Sequence, residues 1–257
     1  TFNIRYDNPD DGENQWINRK DKVIKTIAFY EPELLGLQEA LHHQLEAVKK
    51  AFPDYNCFGV GRIDGKEEGE YAPVLFHKES FDLIEGSYFW LSETPEVPGS
   101  KSWGTACERI ATWVLLKDKY SKKELLFLNT HLDHISEEAR NQGVLLISEK
   151  VDSILGDKAI PVIITGDFNG VNTDHFYHTL LEKNYKDSKV ELKGVSYGGD
   201  MTFNGFHQEN YTGEKNRIDY IFFKNIQYAE KYAIIAECWD GLPVSDHYPV
   251  FSVLKLE

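Results

Sequence analysis

The most informative residues of this sequence are Asp167 and Asn169, which follow an apolar, β-branched run at positions 162–166. In an extended chain these two side chains lie on the same side of the backbone, whereas Phe168 lies on the other. Asp167 is negatively charged at neutral pH, and the amide of Asn169 can donate a hydrogen bond to a phosphoryl oxygen. Because strand ends often carry Asp and Asn simply as turn formers, the chemical interpretation depends on partners elsewhere in the chain.

Such partners occur in other short apolar runs, whose polar residues are Asn3, Glu39, His131, Asp133, Asp219, Asp246 and His247. A single polar group at a strand end has a simple explanation as a turn or a helix cap. Six runs with the same feature indicate that the strand ends meet along a common rim. Carboxylates, amides and imidazoles gathered in this way predict a metal-assisted site for phosphate chemistry.

The order of these motifs resembles that of the endonuclease/exonuclease/phosphatase superfamily, which contains DNase I, abasic-site endonucleases, deadenylase- and nocturnin-like enzymes and sphingomyelinases. The resemblance extends from Asn3 to His247, and the segments at 89–95 and 109–113 resemble a bacterial branch near the nocturnin-like members. It implies a four-layer α/β/β/α sandwich, in which two packed mixed sheets lie between outer helices. It also implies a hydrolase of phosphoester bonds, without naming the substrate, because one scaffold serves many chemistries.

The resemblance implies a divalent-metal site formed by Glu39, Asn3 and Asp246. Mg²⁺ is the expected ion and Mn²⁺ the alternative, since a hard carboxylate suits Mg²⁺, which takes its other ligands from water and phosphate oxygens. Glu39 has a competing interpretation as the cap of the helix that begins near Leu41.

Five residues are the candidates for the reaction itself: Asp167, Asn169, Asp219, His247 and His131. Asp167 is expected to orient or deprotonate the attacking water, and Asn169 to hold the phosphoryl group. Asp219 and His247 are expected to form a hydrogen-bonded pair, in which the carboxylate raises the pKa of the imidazole. The resulting cation would stabilise negative charge on the phosphoryl oxygens. Whether His247 or Asp167 is the general base stays open at this point.

Four residues are candidates for substrate contacts: Asn169, His131, Arg109 and His207. His131 matches the family position that approaches the phosphate near the leaving group. Arg109 could bind a substrate phosphate through its planar guanidinium, or form a structural ion pair with Glu108 or another acid. His207 could help to stack a base or cover an apolar leaving group, together with loop aromatics that could equally be structural anchors: Trp103, Tyr197, Phe203 and Phe206.

The net charge of −14 bears on the choice of substrate. Proteins that bind duplex DNA usually neutralise its phosphates with Lys and Arg, and this chain has no basic run. We therefore expect a small or single-stranded phosphoester, such as a nucleotide, an oligonucleotide end or a phospholipid headgroup, and duplex DNA is disfavoured. The alternatives are a DNA endonuclease of the DNase I or abasic-site type and a non-catalytic phosphate-binding module.

The sequence says less about compartment and assembly. No apolar run approaches the ~20 residues of a membrane span, and a monomer is expected. The sequence begins inside the first predicted strand, so an upstream segment, including an export signal, is compatible with it. The three cysteines, Cys57, Cys107 and Cys238, match no metal or disulfide pattern and are expected to be reduced.

Hydrophobic periodicity predicts the elements that position these residues. Helices are expected at 21–29, from Leu41 to Phe52, from Ser136 to about Leu155, and after Thr173. Strands are expected at 73–77, 81–90, 110–117, 124–130, 161–166, 217–223 and 247–255, with surface loops at 59–72, 93–106 and 193–216. The site residues come from both ends of the chain, which predicts one domain over residues 1–257.

Overall fold

The computed structural model describes residues 1–206 and 217–256. A short 3-10 helix at Pro9–Asn14 precedes four α-helices: α1 (Trp16–Tyr30), α2 (His42–Ala51), α3 (Glu137–Leu155) and α4 (His175–Glu182). Ser136 caps α3 as predicted, because its hydroxyl accepts a hydrogen bond from the backbone N–H of Ala139. Within the described part of the chain, no helix combines the length and apolar character needed to cross a bilayer.

In the described residues the strands form a six-stranded, a four-stranded and a three-stranded sheet and a short two-stranded hairpin. The first half of the chain contributes β1 (Phe2–Asn3), β2 (Leu34–Gln38), β3 (Tyr55–Phe58), β4 (Val74–His77), β5 (Phe81–Trp90), β6 (Ile110–Asp118) and β7 (Glu124–His131). The second half contributes β8 (Val162–Asp167), β9 (Lys186–Asp187), β10 (Leu192–Tyr197), β11 (Asp219–Lys224), β12 (Tyr228–Ile234), β13 (Cys238–Trp239), β14 (Leu242–Pro243) and β15 (Val250–Lys255).

These elements form four layers, which confirms the predicted α/β/β/α sandwich. One sheet has the strand order β5-β6-β7-β8-β11-β9, and the facing layer consists of β1-β2-β4-β3 beside β10-β12-β15. The core between them contains Phe127 and Ile163, whereas their neighbours Leu128 and Ile164 pack outward against α3 and α4. A third core places α1 and α2 on the outer face of β2. The alternation of apolar residues thus buries both faces of the central strands.

The register of the strands brings the candidate residues to one edge. His131 on β7 lies opposite Asp167 on β8, and Asp167 lies opposite Asp219 on β11. In the facing layer Asn3 pairs with Gln38, the residue that precedes Glu39. The ends of β1, β2, β7 and β8 and the start of β11 therefore meet, as the polar strand ends predict.

Several expected boundaries differ from the structure; α1, for example, begins at Trp16 rather than at residue 21. The predicted loop at 193–216 contains most of β10, an exposed edge strand that pairs in parallel with β12. Its side chains are mostly solvent-exposed, so it lacks the apolar alternation by which strands are recognised. The strand predicted at 247–255 begins only at Val250, because Tyr248 and Pro249 lead into it.

A polar network joins the two sheets directly beneath the site. Asn129 accepts a hydrogen bond from Gln38 Nε2 at 2.6 Å and donates to the carbonyl of Leu37 at 2.7 Å. Gly36 faces this network, and a Cβ atom there would overlap the side chains of Asn129 and Thr165.

Replacing Gly36 with Ala should therefore destabilise the fold by about 1–3 kcal/mol, the usual cost of overpacking a filled core. The measurement is the free energy of unfolding from denaturant titration. Gly199→Ala is the matched control, because a Cβ at Gly199 meets no heavy atom within 4 Å. Equal stabilities of the two variants would contradict this account of the sheet interface.

Candidate functional site

Asp167 lies at the centre of the rim and is almost completely buried. Its Oδ2 accepts a hydrogen bond from Asn3 Nδ2 at 3.0 Å, and its Oδ1 accepts one from the backbone N–H of Asn169 at 2.9 Å. Burial raises the pKa of Asp167 to about 7, and repulsion from the Asp219 carboxylate adds to this rise. The group can therefore exchange a proton near neutral pH.

His247 and Asp219 form the predicted pair. Their Nδ1 and Oδ2 atoms lie 2.9 Å apart, and the other ring nitrogen of His247 lies 3.6 Å from Asp167 Oδ2. Burial lowers the pKa of His247, but the carboxylates of Asp219 and Asp167 outweigh it, and the net pKa lies well above the usual value. His247 is therefore an imidazolium at neutral pH, with one N–H toward each carboxylate.

His131 is in the opposite protonation state. Asn169 Nδ2 donates to its Nε2 at 2.9 Å and to the carbonyl of Leu132 at 3.0 Å. Burial lowers the pKa of His131 well below the usual value, and the nearby guanidinium groups of Arg109 and Arg62 lower it further. The imidazole is neutral, and its Nε2 accepts rather than donates. Asn169 would have to exchange one of these bonds to hold a phosphoryl oxygen.

The predicted metal ligands Glu39, Asn3 and Asp246 lie at the same edge as Asp167. Glu39 Oε1 accepts from Asn3 Nδ2 at 2.9 Å, and its Oε2 accepts from the backbone N–H of Tyr6 at 3.1 Å. Glu39 is not the cap of α2, because the N-cap residue of that helix is Leu41. Asp246 is buried nearby, and its pKa is raised by burial and by repulsion from Glu39.

The donor set fits a divalent cation. Ligand atoms of Glu39, His131 and Asp167 all lie within 4.8 Å of one another, and Asp246 adds a further carboxylate. Two protein cations lie beside this group: Arg5 Nη1 is 3.6 Å from Asp246 Oδ2 and 4.0 Å from Glu39 Oε2, and His247 Nε2 is 3.6 Å from Asp167 Oδ2. Buried carboxylates in excess of their cationic partners favour a hard metal ion such as Mg²⁺ or Mn²⁺.

Strained backbone holds several of these residues in place. Glu39, Arg5 and Asn169 have positive φ angles of 61°, 57° and 48°. A residue with a side chain adopts this left-handed region at a cost of about 1–3 kcal/mol, and such strain is concentrated at functional sites. The neighbouring contacts offset this cost and direct the three side chains toward the rim.

Arg109 is anchored by an acid other than Glu108. It lies 3.5 Å from Asp133 Oδ2 and makes a 2.9 Å hydrogen bond to Nδ1 of His134. Asp133 also accepts from the backbone N–H of Ser136 at 2.8 Å, at the start of α3. This ion pair is structural. Arg109 also lines the same small cavity as His131, and its Nη1 has no hydrogen-bond partner among the described residues.

The sequence patterns do not identify two charged residues of the segment at 59–72. Arg62 and Glu70 form a bidentate ion pair with two 2.7 Å contacts, and Glu70 Oε2 lies 3.9 Å from His131 Nδ1. Burial raises the pKa of Glu70, while Arg62 opposes that rise. The signal that could have located them is the Gly-rich, charged composition between β3 and β4, which is unusual for a plain connection.

The loop aromatics have separate environments. Phe203 packs edge-on against His247, with the ring centroids 5.0 Å apart, and is partly exposed at the site. Phe206 lies over the guanidinium of Arg19, and Tyr197 is exposed on the edge strand β10. Of these three residues, Phe203 alone contacts a candidate catalytic residue. His207 lies outside the described residues.

A family model described as the endonuclease/exonuclease/phosphatase family matches residues 1–247. The chain belongs to this family. Among its solved structures, an endonuclease/exonuclease/phosphatase protein from Bacteroides vulgatus is 39% identical, with a TM-score of 0.94, and the match covers 100% of this chain and 97% of that one. Members of the family are hydrolases that act on phosphoesters.

Two further proteins show which relatives the chain is similar to. A Bacteroides thetaiotaomicron protein described as a mannosyl-6-phosphatase is 34% identical with a TM-score of 0.93, covering 98% of this chain and 97% of that one. Nocturnin from Xenopus laevis is 24% identical, covering 70% of this chain and 46% of that protein. The chain thus resembles bacterial family members over their whole length and nocturnin more distantly.

Proposed function

We propose that this protein is a divalent-metal-dependent phosphoesterase that hydrolyses a small phosphate ester by attack of water. The observation that carries this proposal is the triad of buried groups in which the carboxylate of Asp167 lies 3.6 Å from His247 and His247 lies 2.9 Å from Asp219. A carboxylate with a pKa of about 7 beside a fixed imidazolium combines a proton acceptor with a stabilising cation.

The site residues divide the reaction between them. Asp167 accepts a proton from the attacking water, because His247 is already protonated and cannot serve as the base. The water oxygen forms a bond to phosphorus, the ester P–O bond breaks, and the leaving oxygen takes a proton from solvent water. The N–H of His247 stabilises the negative charge on the phosphoryl oxygens. Glu39, Asp246 and Asn3 would hold Mg²⁺ or Mn²⁺, and the ion would supply charge neutralisation and Lewis acidity when bound.

The favoured substrate is a phosphomonoester of a small alcohol, with sugar phosphates first. The support is the 34% identity to a protein described as a mannosyl-6-phosphatase over nearly the full length of both chains. Nucleotides, oligonucleotide ends and phospholipid headgroups follow as candidates of similar size. DNase-like action on duplex DNA is the second candidate function, and the charge of the chain disfavours it.

We expect metal-dependent hydrolysis of a small or single-stranded phosphoester and much weaker nicking of duplex plasmid at ~150 mM salt. Few cationic side chains are available to neutralise DNA phosphates, whereas a small ester requires only the metal and the side chains of the rim. The measurement is phosphate release and plasmid nicking by one preparation in Mg²⁺, in Mn²⁺ and in a chelator.

The controls separate the alternatives. Plasmid nicking that outpaces hydrolysis of every small substrate would support the DNase-like function instead. Tight binding of phosphate esters with no hydrolysis in either metal would indicate a non-catalytic phosphate-binding module.

A further inference from the structure

The segment between β3 and β4 is a rigid hairpin rather than a plain loop. The backbone N–H of Arg62 donates to the carbonyl of Glu70 at 3.1 Å, and that of Ile63 donates to Glu68 at 3.1 Å. Trp90 Nε1 donates to the carbonyl of Arg62 at 2.6 Å and ties the hairpin to β5. Because these bonds fix the backbone, the side chains of Arg62 and Glu70 are held against the site.

A cavity of about 10 Å³ lies between this hairpin and the residues Arg109 and His131. This volume is comparable to the space of about 10–15 Å³ that one water-sized group needs. Among the residues that the structure describes, Arg62 Nε, Arg109 Nη1 and His131 Nδ1 find no hydrogen-bond partner. Arg109 is 4% exposed and His131 8% exposed, so bulk water does not readily hydrogen-bond to either side chain.

The chemistry of the cavity suits a hydroxyl group. A hydroxyl both accepts and donates hydrogen bonds, so its oxygen can accept from the unpartnered N–H groups while its hydrogen binds the carboxylate of Glu70. A whole phosphate group is too large for a cavity of about 10 Å³. An alkyl or aromatic leaving group would leave the buried N–H groups unpaired, at a cost of about 1–3 kcal/mol for each group.

The cavity also adjoins the reacting atoms. His131 contributes its Nδ1 to the cavity and its Nε2 to Asn169, and Nε2 lies 3.4 Å from Asp167 Oδ2. A group in the cavity is therefore separated from the phosphate position by one imidazole ring. That separation matches a hydroxyl on a carbon near the ester oxygen of the same alcohol.

We infer that Glu70, with Arg62 and Arg109, binds a hydroxyl of the substrate's alcohol and thereby selects esters of polyhydroxylated alcohols, such as sugar phosphates. This inference rests on the proposed function and assigns Glu70 as a specificity-determining residue of the same site. Glu70 is not one of the proposed metal ligands, which are Glu39, Asn3 and Asp246.

The test compares kcat/KM for mannose 6-phosphate, its monodeoxy analogues and p-nitrophenyl phosphate, which has no hydroxyl to offer. In the wild type, one monodeoxy analogue should be roughly 10–10² times poorer than the parent, which is the worth of a charge-assisted hydrogen bond. Glu70→Gln should lower the preference for mannose 6-phosphate over p-nitrophenyl phosphate by a similar factor, chiefly through KM. For the one monodeoxy analogue that lacks the bound hydroxyl, kcat/KM relative to p-nitrophenyl phosphate should be nearly the same in Glu70→Gln as in the wild type.

Glu68→Gln is the matched control, because Glu68 belongs to the same hairpin and its side chain is exposed. It should leave the preference unchanged. Thermal unfolding of both variants shows whether the hairpin has been disturbed. Calorimetric binding of mannose 6-phosphate gives a second readout that does not require turnover, and Glu70→Gln should weaken this binding by a similar factor.

The outcomes separate the two levels of the proposal. If the wild type hydrolyses p-nitrophenyl phosphate with metal but all deoxy analogues match the parent, the inference is overturned and the proposed function stands. Equal losses of both substrates in Glu70→Gln would also overturn it, since Glu70 would then act only through His131. If no substrate is hydrolysed, the proposed function fails, and unchanged calorimetric binding in Glu70→Gln would overturn the inference as well.

Discussion

Replacing Asp219 with Asn should lower kcat by roughly 10²–10⁴-fold, the range expected when a positioned proton-transfer group or its orienting partner is lost. Asp219 Oδ2 lies 2.9 Å from His247 Nδ1 and is buried with it. An Asn side chain preserves the shape but removes the charge that keeps His247 protonated. The loss should appear in kcat more than in KM, because the cation acts on charge that develops during the reaction.

The pH profile gives this prediction a definite sign. The Asp219 carboxylate raises the pKa of His247 and also raises the pKa of Asp167. Removing it should lower the pKa of His247, so His247 loses its proton at lower pH than in the wild type. The alkaline limb of the activity profile should therefore move toward acid.

A double variant tests whether the two residues act as a unit. The effects of substituting groups that cooperate in one step are not additive. The kcat of the double variant Asp219→Asn/His247→Gln should therefore be little lower than that of the less active single variant. Circular dichroism and thermal unfolding check that each variant folds. Wild-type turnover with an unchanged pH profile in Asp219→Asn would refute the role of the pair.

The strand-borne part of the site could be predicted from the sequence because strand ends are visible in it. Apolar runs that stop at Glu39, His131 and Asp167 mark the ends of β2, β7 and β8, and parallel or antiparallel pairing then brings those ends to one edge. The helices on the outer faces follow from apolar residues spaced by one turn. The order of helices and strands could thus be predicted from periodicity, whereas the four-layer arrangement was what the family resemblance implied.

The loop-borne part could not be predicted in this way. Arg62 and Glu70 reach the site through a hairpin whose shape depends on its own backbone bonds and on Trp90, a residue of another strand. Arg5 reaches the metal ligands because its backbone turns into a left-handed conformation after β1. Neither arrangement leaves a periodic signal, since both depend on contacts that form only when the chain has folded.

The sequence predicted only one of the two histidine protonation states. Pairing with Asp219 predicted a charged His247, whereas no sequence pattern predicted that His131 is neutral. The difference lies in their neighbours, since guanidinium groups lie near His131 and carboxylates lie near His247. Our proposal that Asp167 rather than His247 is the base rests on this contrast.

Replacing Glu39 with Gln should weaken Mn²⁺ binding by about 10²-fold or more. Loss of an outer-shell partner typically costs a metal site 10–100-fold in affinity, and a direct carboxylate ligand contributes more than such a partner. Calorimetric titration of Mn²⁺ into the wild type and the variant measures the change. Glu67→Gln is the control, because that carboxylate is mostly exposed and its loss should leave the Kd unchanged.

Thermal unfolding provides an independent check on Glu39. Without metal the Glu39→Gln variant should be at least as stable as the wild type, because Glu39 repels the buried Asp246 carboxylate. A ligand that binds only the folded state raises stability by RT ln(1 + [L]/Kd), so added Mn²⁺ should raise the Tm of the wild type far more than that of the variant. Equal Mn²⁺ affinities and equal shifts in Tm would remove Glu39 from the metal site, whereas a metal-free variant that fails to fold would show that its bonds to Asn3 and Tyr6 are chiefly structural.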